Sequence, residues 1–171
     1  MPLVKSGAVT ADPFVFVADG EALPDGAAIV SAARLLSGDP ALAAHRGPLG
    51  VVWPNDKDVS LIAPHLPRLA LVALAFPKFR DGRAFSQARL LRERYGFTGE
   101  VRATGNVLQD QVLFMARSGF DAFALEKGAD ADAFKAALAR YSVFYQPTGD
   151  GRPTARDLRS AAPARTLEAA E

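Results

Sequence analysis

The sequence contains no cysteine. That removes thiolate nucleophiles, redox disulfides, cysteine-ligated iron–sulfur clusters and cysteine-type zinc sites together. Histidine is nearly as scarce, with only His45 and His65, both in proline-containing loop or helix-end settings. A histidine triad or a two-histidine metal site is not expected, and no cofactor or metal is called for. Phosphate-loop, dinucleotide-binding, HExxH and GxSxG patterns are absent. No run approaches the ~18 apolar residues of a membrane span, and the N-terminus, MPLVKSGAVTADPF, lacks the apolar core of a signal peptide. The expectation is a cytoplasmic protein with no membrane contact.

What is present suits one ordinary domain. The 171 residues are 49% hydrophobic and 23% charged, a composition that buries one real core without a disulfide or metal staple. The net charge of +1 argues against bulk nucleic-acid binding. Charge is uneven, however: residues 78–102 carry seven basic groups against three acidic ones. That segment is a local anion attractor.

Hydrophobic periodicity sets out the elements. Leu69–Ala75 is apolar without alternation, so it reads as a strand buried on both faces. Phe85, Ala88, Leu91 and Tyr95 mark a helix over 84–95, with Gly96 at its stop. A strand at 99–103 precedes a helix at 107–118, for which Asn106 and Gln109 form a capping-box pattern. Phe120–Leu125 reads as a strand, and the positions of Phe134, Ala137, Leu138 and Tyr141 predict a helix over 130–141. Upstream, short strands are expected at 29–30 and 50–53, a helix at 31–37, and a short or bent helix at 58–66 because Pro64 removes an interior hydrogen bond. Phe14–Val17 is expected to be one strand of an N-terminal hairpin.

Strands alternating with helices imply parallel crossovers. The expected fold is a single α/β domain over 1–146, with about five mainly parallel strands. An open sheet is preferred and a partial barrel is the alternative, since a complete barrel needs about 200 residues or more. Residues 147–171 have repeated Pro, Gly and Ala and no apolar period, and are expected to form a disordered tail.

In such a sheet, ligands bind beyond the carboxyl ends of the strands. The segments there are polar: Lys78, Arg80, Asp81, Arg83 and Ser86 after one strand, Asn106, Asp110 and Gln111 after the next, with Arg102 near the strand's end. One reading is an anion pocket in which Lys78, Arg80, Arg83 and Arg102 supply charge, while Ser86, Asn106 and Gln111 line it. Asp81 or Asp110 is then a candidate acid or base. The other reading is structural, with Asp81 paired to an arginine, Asn106 only a cap and Gln111 tying a loop. Arg89, Arg92 and Arg94 read as a solvated helix face, and Trp53 as a core residue.

The stretch FPKFRDGRAFSQARLLRERYGFTGEVRATGNVLQDQVLFMARSGFDAF, residues 76–123, resembles a bacterial family of uncharacterised proteins typically encoded beside assimilatory sulfite reductase genes. The FPKF, DGR, GE-RA-G and DQ elements occur in order, and the matching polar positions are Lys78, Asp81, Arg83, Ser86, Arg102, Asp110 and Gln111. Two positions depart from the family pattern, with Asn106 in place of the usual aspartate and Ser118 in place of a common cysteine. The resemblance implies a pathway rather than a reaction: an accessory protein of sulfate and sulfite reduction, not itself a redox protein, that binds sulfite reductase or a small oxyanion. The alternative from the residues is a small enzyme acting on an anionic metabolite.

Overall fold

A computed structural model describes residues 2–5, 7–126 and 130–161. Its centre is one sheet of eight strands: β1 Leu3–Lys5, β2 Ala8–Thr10, β3 Val15–Phe16, β4 Ala28–Ser31, β5 Leu49–Trp53, β6 Leu69–Phe76, β7 Glu100–Gly105 and β8 Ala122–Ala124, in the order β2-β1-β8-β7-β6-β5-β4-β3. From β3 to β8 every neighbouring pair is parallel. Sequence order and spatial order coincide across these six strands, so the chain winds in one sense and never reverses.

The five expected parallel strands are β4 to β8, and three short ones, β1 to β3, extend the sheet to eight at its edges. β2 and β3 are fully exposed. The N-terminal hairpin exists, but it is β1 with β2. Val15–Phe16, expected within that hairpin, instead pairs in parallel with β4 at the opposite edge.

The sheet has two free edges, yet it cannot be flat. Only five Cα steps separate Thr10, which ends one edge strand, from Val15, which begins the other. Those steps span at most ~18 Å. Seven strand spacings across a flat sheet would require about 34 Å. The sheet therefore curls into an open trough, and Ala11–Phe14 straps across it.

The helices are α1 Ala32–Leu36, α2 Pro40–Ala44, a 3-10 helix Val59–Arg68, α3 Arg83–Arg89 continuing as a π-helical turn Leu90–Arg94, α4 Val112–Arg117, α5 Ala131–Leu138 and α6 Ala155–Ala161. Those that contribute to the main core pack on the outer face of the sheet. One core joins Leu35, Leu42, Ile62, Leu91, Met115 and Phe134 from these elements to Val30, Val51, Trp53, Val72, Leu74 and Phe123 of the strands. The alternate residues of the strands face the trough, where Ile29, Leu71 and Ala73 form a smaller cluster with Phe14 and Val52 packed on it.

Most sequence boundaries hold within a few residues. Gly96 stops the α3 segment at φ +62, and Pro64 and Pro67 keep the 59–68 turns in the tighter 3-10 form. The helix expected at 107–118 begins only at Val112. Of the expected tail, residues 147–161 carry contacts: Arg117 bonds to Asp150 and Thr148, and Thr154 is buried and bridges to Phe144. Residues 162–171 lie outside the described residues. Among the described residues no helix is long and apolar enough to cross a membrane.

Candidate functional site

The carboxyl ends of β6 and β7 carry the loops that the sequence nominates, with the loop after β5 beside them. Asp81 sits in the loop after β6, and Arg83 opens α3 two residues later. The Arg83 guanidinium grips both carboxylate oxygens, with Nε 2.9 Å from Oδ1 and Nη2 2.7 Å from Oδ2. That hydrogen-bonded fork, with burial opposing it and the Asn55 amide adding a smaller pull, holds the Asp81 carboxyl well below the usual carboxylate range. The Asn55 amide reaches toward Asp81 without closing a hydrogen bond. A carboxylate held this way is a poor proton acceptor at neutral pH.

Behind this pair, the buried Gln87 of α3 donates to the Pro54 and Lys57 carbonyls at 3.1 and 2.9 Å, pinning the loop after β5. Lys78 and Arg80 are exposed on the loop after β6. Asn106 donates its backbone N–H to the Phe76 carbonyl, while its side-chain oxygen has no partner among the described residues. It does not cap α4, which starts six residues further on.

Ser86, Asp110 and Gln111 do come together. With Phe85, Arg89, Phe114 and Ser118 they line an open hollow of about 620 Å³ between α3 and α4. Asp110 has no ion pair among the described residues, and Arg89 is bound to Glu93 at 3.0 Å.

Arg102 is elsewhere. As the third residue of β7 it points into the trough and is only 3% exposed. This corrects the expectation that Arg83 and Arg102 share the carboxyl end of the sheet: strand alternation sends Arg102 to the face opposite the helices. Its Nη1 and Nη2 hold Asp12 of the strap at 2.6 and 3.0 Å, and its Nε holds Glu100 at 2.7 Å. Glu100 in turn accepts from Lys5 at 2.8 Å. The nominated residues thus fall into three groups: the Asp81–Arg83 loop with Lys78, Arg80 and Asn106, the α3–α4 hollow, and the trough.

Sequence reasoning missed Asp12 and gave Glu100 no role beyond its charge. Nothing local could have identified Asp12, which lies 90 positions from its partner. It also missed a second hollow, about 530 Å³, at the amino end of β8. This one is lined by Phe120, Phe123 and Leu138 with Asp121, Lys135 and Arg152 at its margin. Partial desolvation pushes the Asp121 carboxyl up despite its bond to Arg92, although the side chain is 45% exposed. Trp53, buried completely, is a core residue as expected.

Among curated proteins, none matches the chain. Residues 50–155, well over half of its length, match the model of a family described as "Bacterial protein of unknown function (DUF934)". The matched stretch contains β5 to β8, the Asp81–Arg83 loop and the α3–α4 hollow, and the chain belongs to that family.

Proposed function

We propose that this protein is an accessory of assimilatory sulfate and sulfite reduction that acts by binding and carries out no redox step of its own. The observation that carries this reading is the state of the charged groups. Asp81 and Arg83 neutralise one another, and Arg102 is bound to two carboxylates. Of the two candidate acid–base groups, Asp81 is thus taken up by its arginine, and Asp110 stands in an open hollow with no paired base beside it among the described residues.

Two exposed patches remain instead, Phe79 with Lys78 and Arg80 on the loop after β6, and Phe114 with Arg89 at the α3–α4 hollow. Phe79 and Phe114 are 56% and 66% exposed, and Lys78, Arg80 and Arg89 are exposed too. Large aromatic side chains beside basic groups are the composition of a docking patch. The pathway rests on the sequence resemblance over residues 76–123, whose FPKF element supplies Lys78 and Phe79 to the first patch and whose DQ element supplies Gln111 to the second. The partner proposed is sulfite reductase.

Two measurements test the reading. A strain lacking the gene should grow poorly on sulfate and normally on cysteine. The purified chain should associate with sulfite reductase, and Phe114→Asp should weaken that association at least tenfold without lowering the melting temperature. Wild-type growth on sulfate together with no measurable association would overturn it.

A further inference from the structure

The strap across the trough carries an inference whose site does not depend on the pathway, while the inclusion of sulfur oxyanions among its ligands rests on that reading. Arg102 is almost fully buried in the middle of a strand, a place where arginine is rare unless paired. Its pair is unusual in origin. Asp12 belongs to no strand or helix, and Ala11, Asp12 and Pro13 are exposed. The strands on either side, β2 and β3, are exposed edges of three and two residues. Segments with so few buried contacts are the first to open.

Beneath the strap, only the strap itself covers the guanidinium. On the trough face, the residues level with Arg102 on the two neighbouring strands are Ala73 and Ala122. Neither has a side chain long enough to reach over the guanidinium. The space above the fork is taken by Asp12 itself and by Phe14, whose ring centre is 5.6 Å from the guanidinium carbon. The charges point the same way. Lys5, Glu100 and Arg102 together leave one positive charge, and Asp12 cancels it.

We propose that the trough face of Arg102 is a binding site for a small oxyanion, a carboxylate or a sulfur oxyanion, and that the Asp12 carboxylate is its resident occupant in cis. A planar guanidinium fork accepts a carboxylate, sulfite or sulfate in the same bidentate manner. An incoming anion takes the two Nη donors, Asp12 swings to solvent, and Ala11–Phe14 lifts from the trough. Closure of the strap lowers the apparent affinity by the fraction of molecules that are open. The site is therefore self-limited, and binding is reported to the outside as a displaced segment.

The test uses the full-length protein with sodium sulfate, sodium sulfite and sodium acetate, each against sodium chloride at matched ionic strength. In the wild type, at least one oxyanion should accelerate amide exchange across residues 8–16 in a saturable way while raising the melting temperature. In Asp12→Asn, that segment should exchange rapidly without added anion, and the same oxyanion should bind at least tenfold more tightly than to the wild type. Adding Arg102→Lys to Asp12→Asn keeps the charge but removes the fork, and should abolish the gain. No change in wild-type exchange with any of the three anions would overturn the proposal, even if Asp12→Asn were stabilised by them. In that case the anion merely repairs a broken ion pair. An unchanged anion response in the double variant would overturn it as well, because the anion would then be binding elsewhere.

Discussion

Arg102 has each of its side-chain nitrogens on a carboxylate, and Asp12 and Glu100 are both short contacts. Removing one partner of a buried pair leaves the other charge uncompensated. Arg102→Met should therefore destabilise the fold by about 3 kcal/mol, the lower end of the range for such pairs, because Asp12 keeps some contact with water. Urea denaturation measures this. Asp81 behaves differently, being an exposed ion pair whose energetic worth is small. Its signature is in titration. The folded carboxyl titrates below the ordinary 3.8, so whatever stability the pair contributes is complete above that value and is lost as pH falls through the lower, folded pKa. Followed by NMR, Asp81 should titrate below 3.8 in the wild type and move back up toward it in Arg83→Gln. Of these two pairs, the sequence made only the near one legible. Asp81 and Arg83 are two residues apart, and a pairing of Asp81 with Arg80 or Arg83 is one of the readings the residues support. Asp12 and Arg102 meet only because the sheet curls.

At the scale of elements, α3 and α4 show where local signals are sufficient. The α3 segment has both an apolar stripe and a glycine in the left-handed region, and its limits fall where the sequence places them. No atom lies within 4 Å of the position a Cβ would take at Gly96. Gly96→Ala should then cost only the backbone strain, about 1–2 kcal/mol, and Gly96→Asn less. Thermal denaturation distinguishes the two. In α4 the capping-box pattern is misleading. Gly105 at φ +83 lies against the Phe76 carbonyl and turns the chain away from helical geometry, and Asn106 is held by its backbone N–H instead. Asn106→Ala should accordingly change stability by less than the 0.5–2 kcal/mol of a lost cap. A denaturation midpoint that falls by the full amount would restore the cap assignment.

The described residues form a singly wound sheet with its core helices on one face and the Ala11–Phe14 strap across the other. The C-terminal part of the chain contributes to that assembly. Arg117 of α4, 13% exposed, bonds to Asp150 and to the Gln146 carbonyl and lies 4.1 Å from the Phe144 ring centre. Truncation after residue 146 removes Asp150 and Thr154 together. It should lower stability by about 1–3 kcal/mol, the cost of leaving a charged group short of its partner. An unchanged melting temperature would show that the segment is a dispensable tail, as its composition suggests.

What the sequence determined by itself follows from periodicity and composition. Apolar runs and helical spacing are local, so they specify β6, α3 and α5, the alternation of strand and helix, and therefore parallel crossovers around one core. Absent cysteine settles which chemistries a thiol cannot perform here. The tertiary structure alone decided three things. It added β1 and β2, three residues each and too short to carry a periodic signal, and moved Val15–Phe16 from the expected hairpin to the opposite edge. It curled the sheet, because the strap between the two edge strands is shorter than a flat sheet is wide. It also separated the arginines that the sequence groups together. Strand alternation and the outer layer of helices put Arg102 inside the trough with Asp12, while Arg83 stayed outside with Asp81. Charge proximity in a sequence says nothing about which face of a sheet each charge will occupy, and that choice depends on contacts made many residues away.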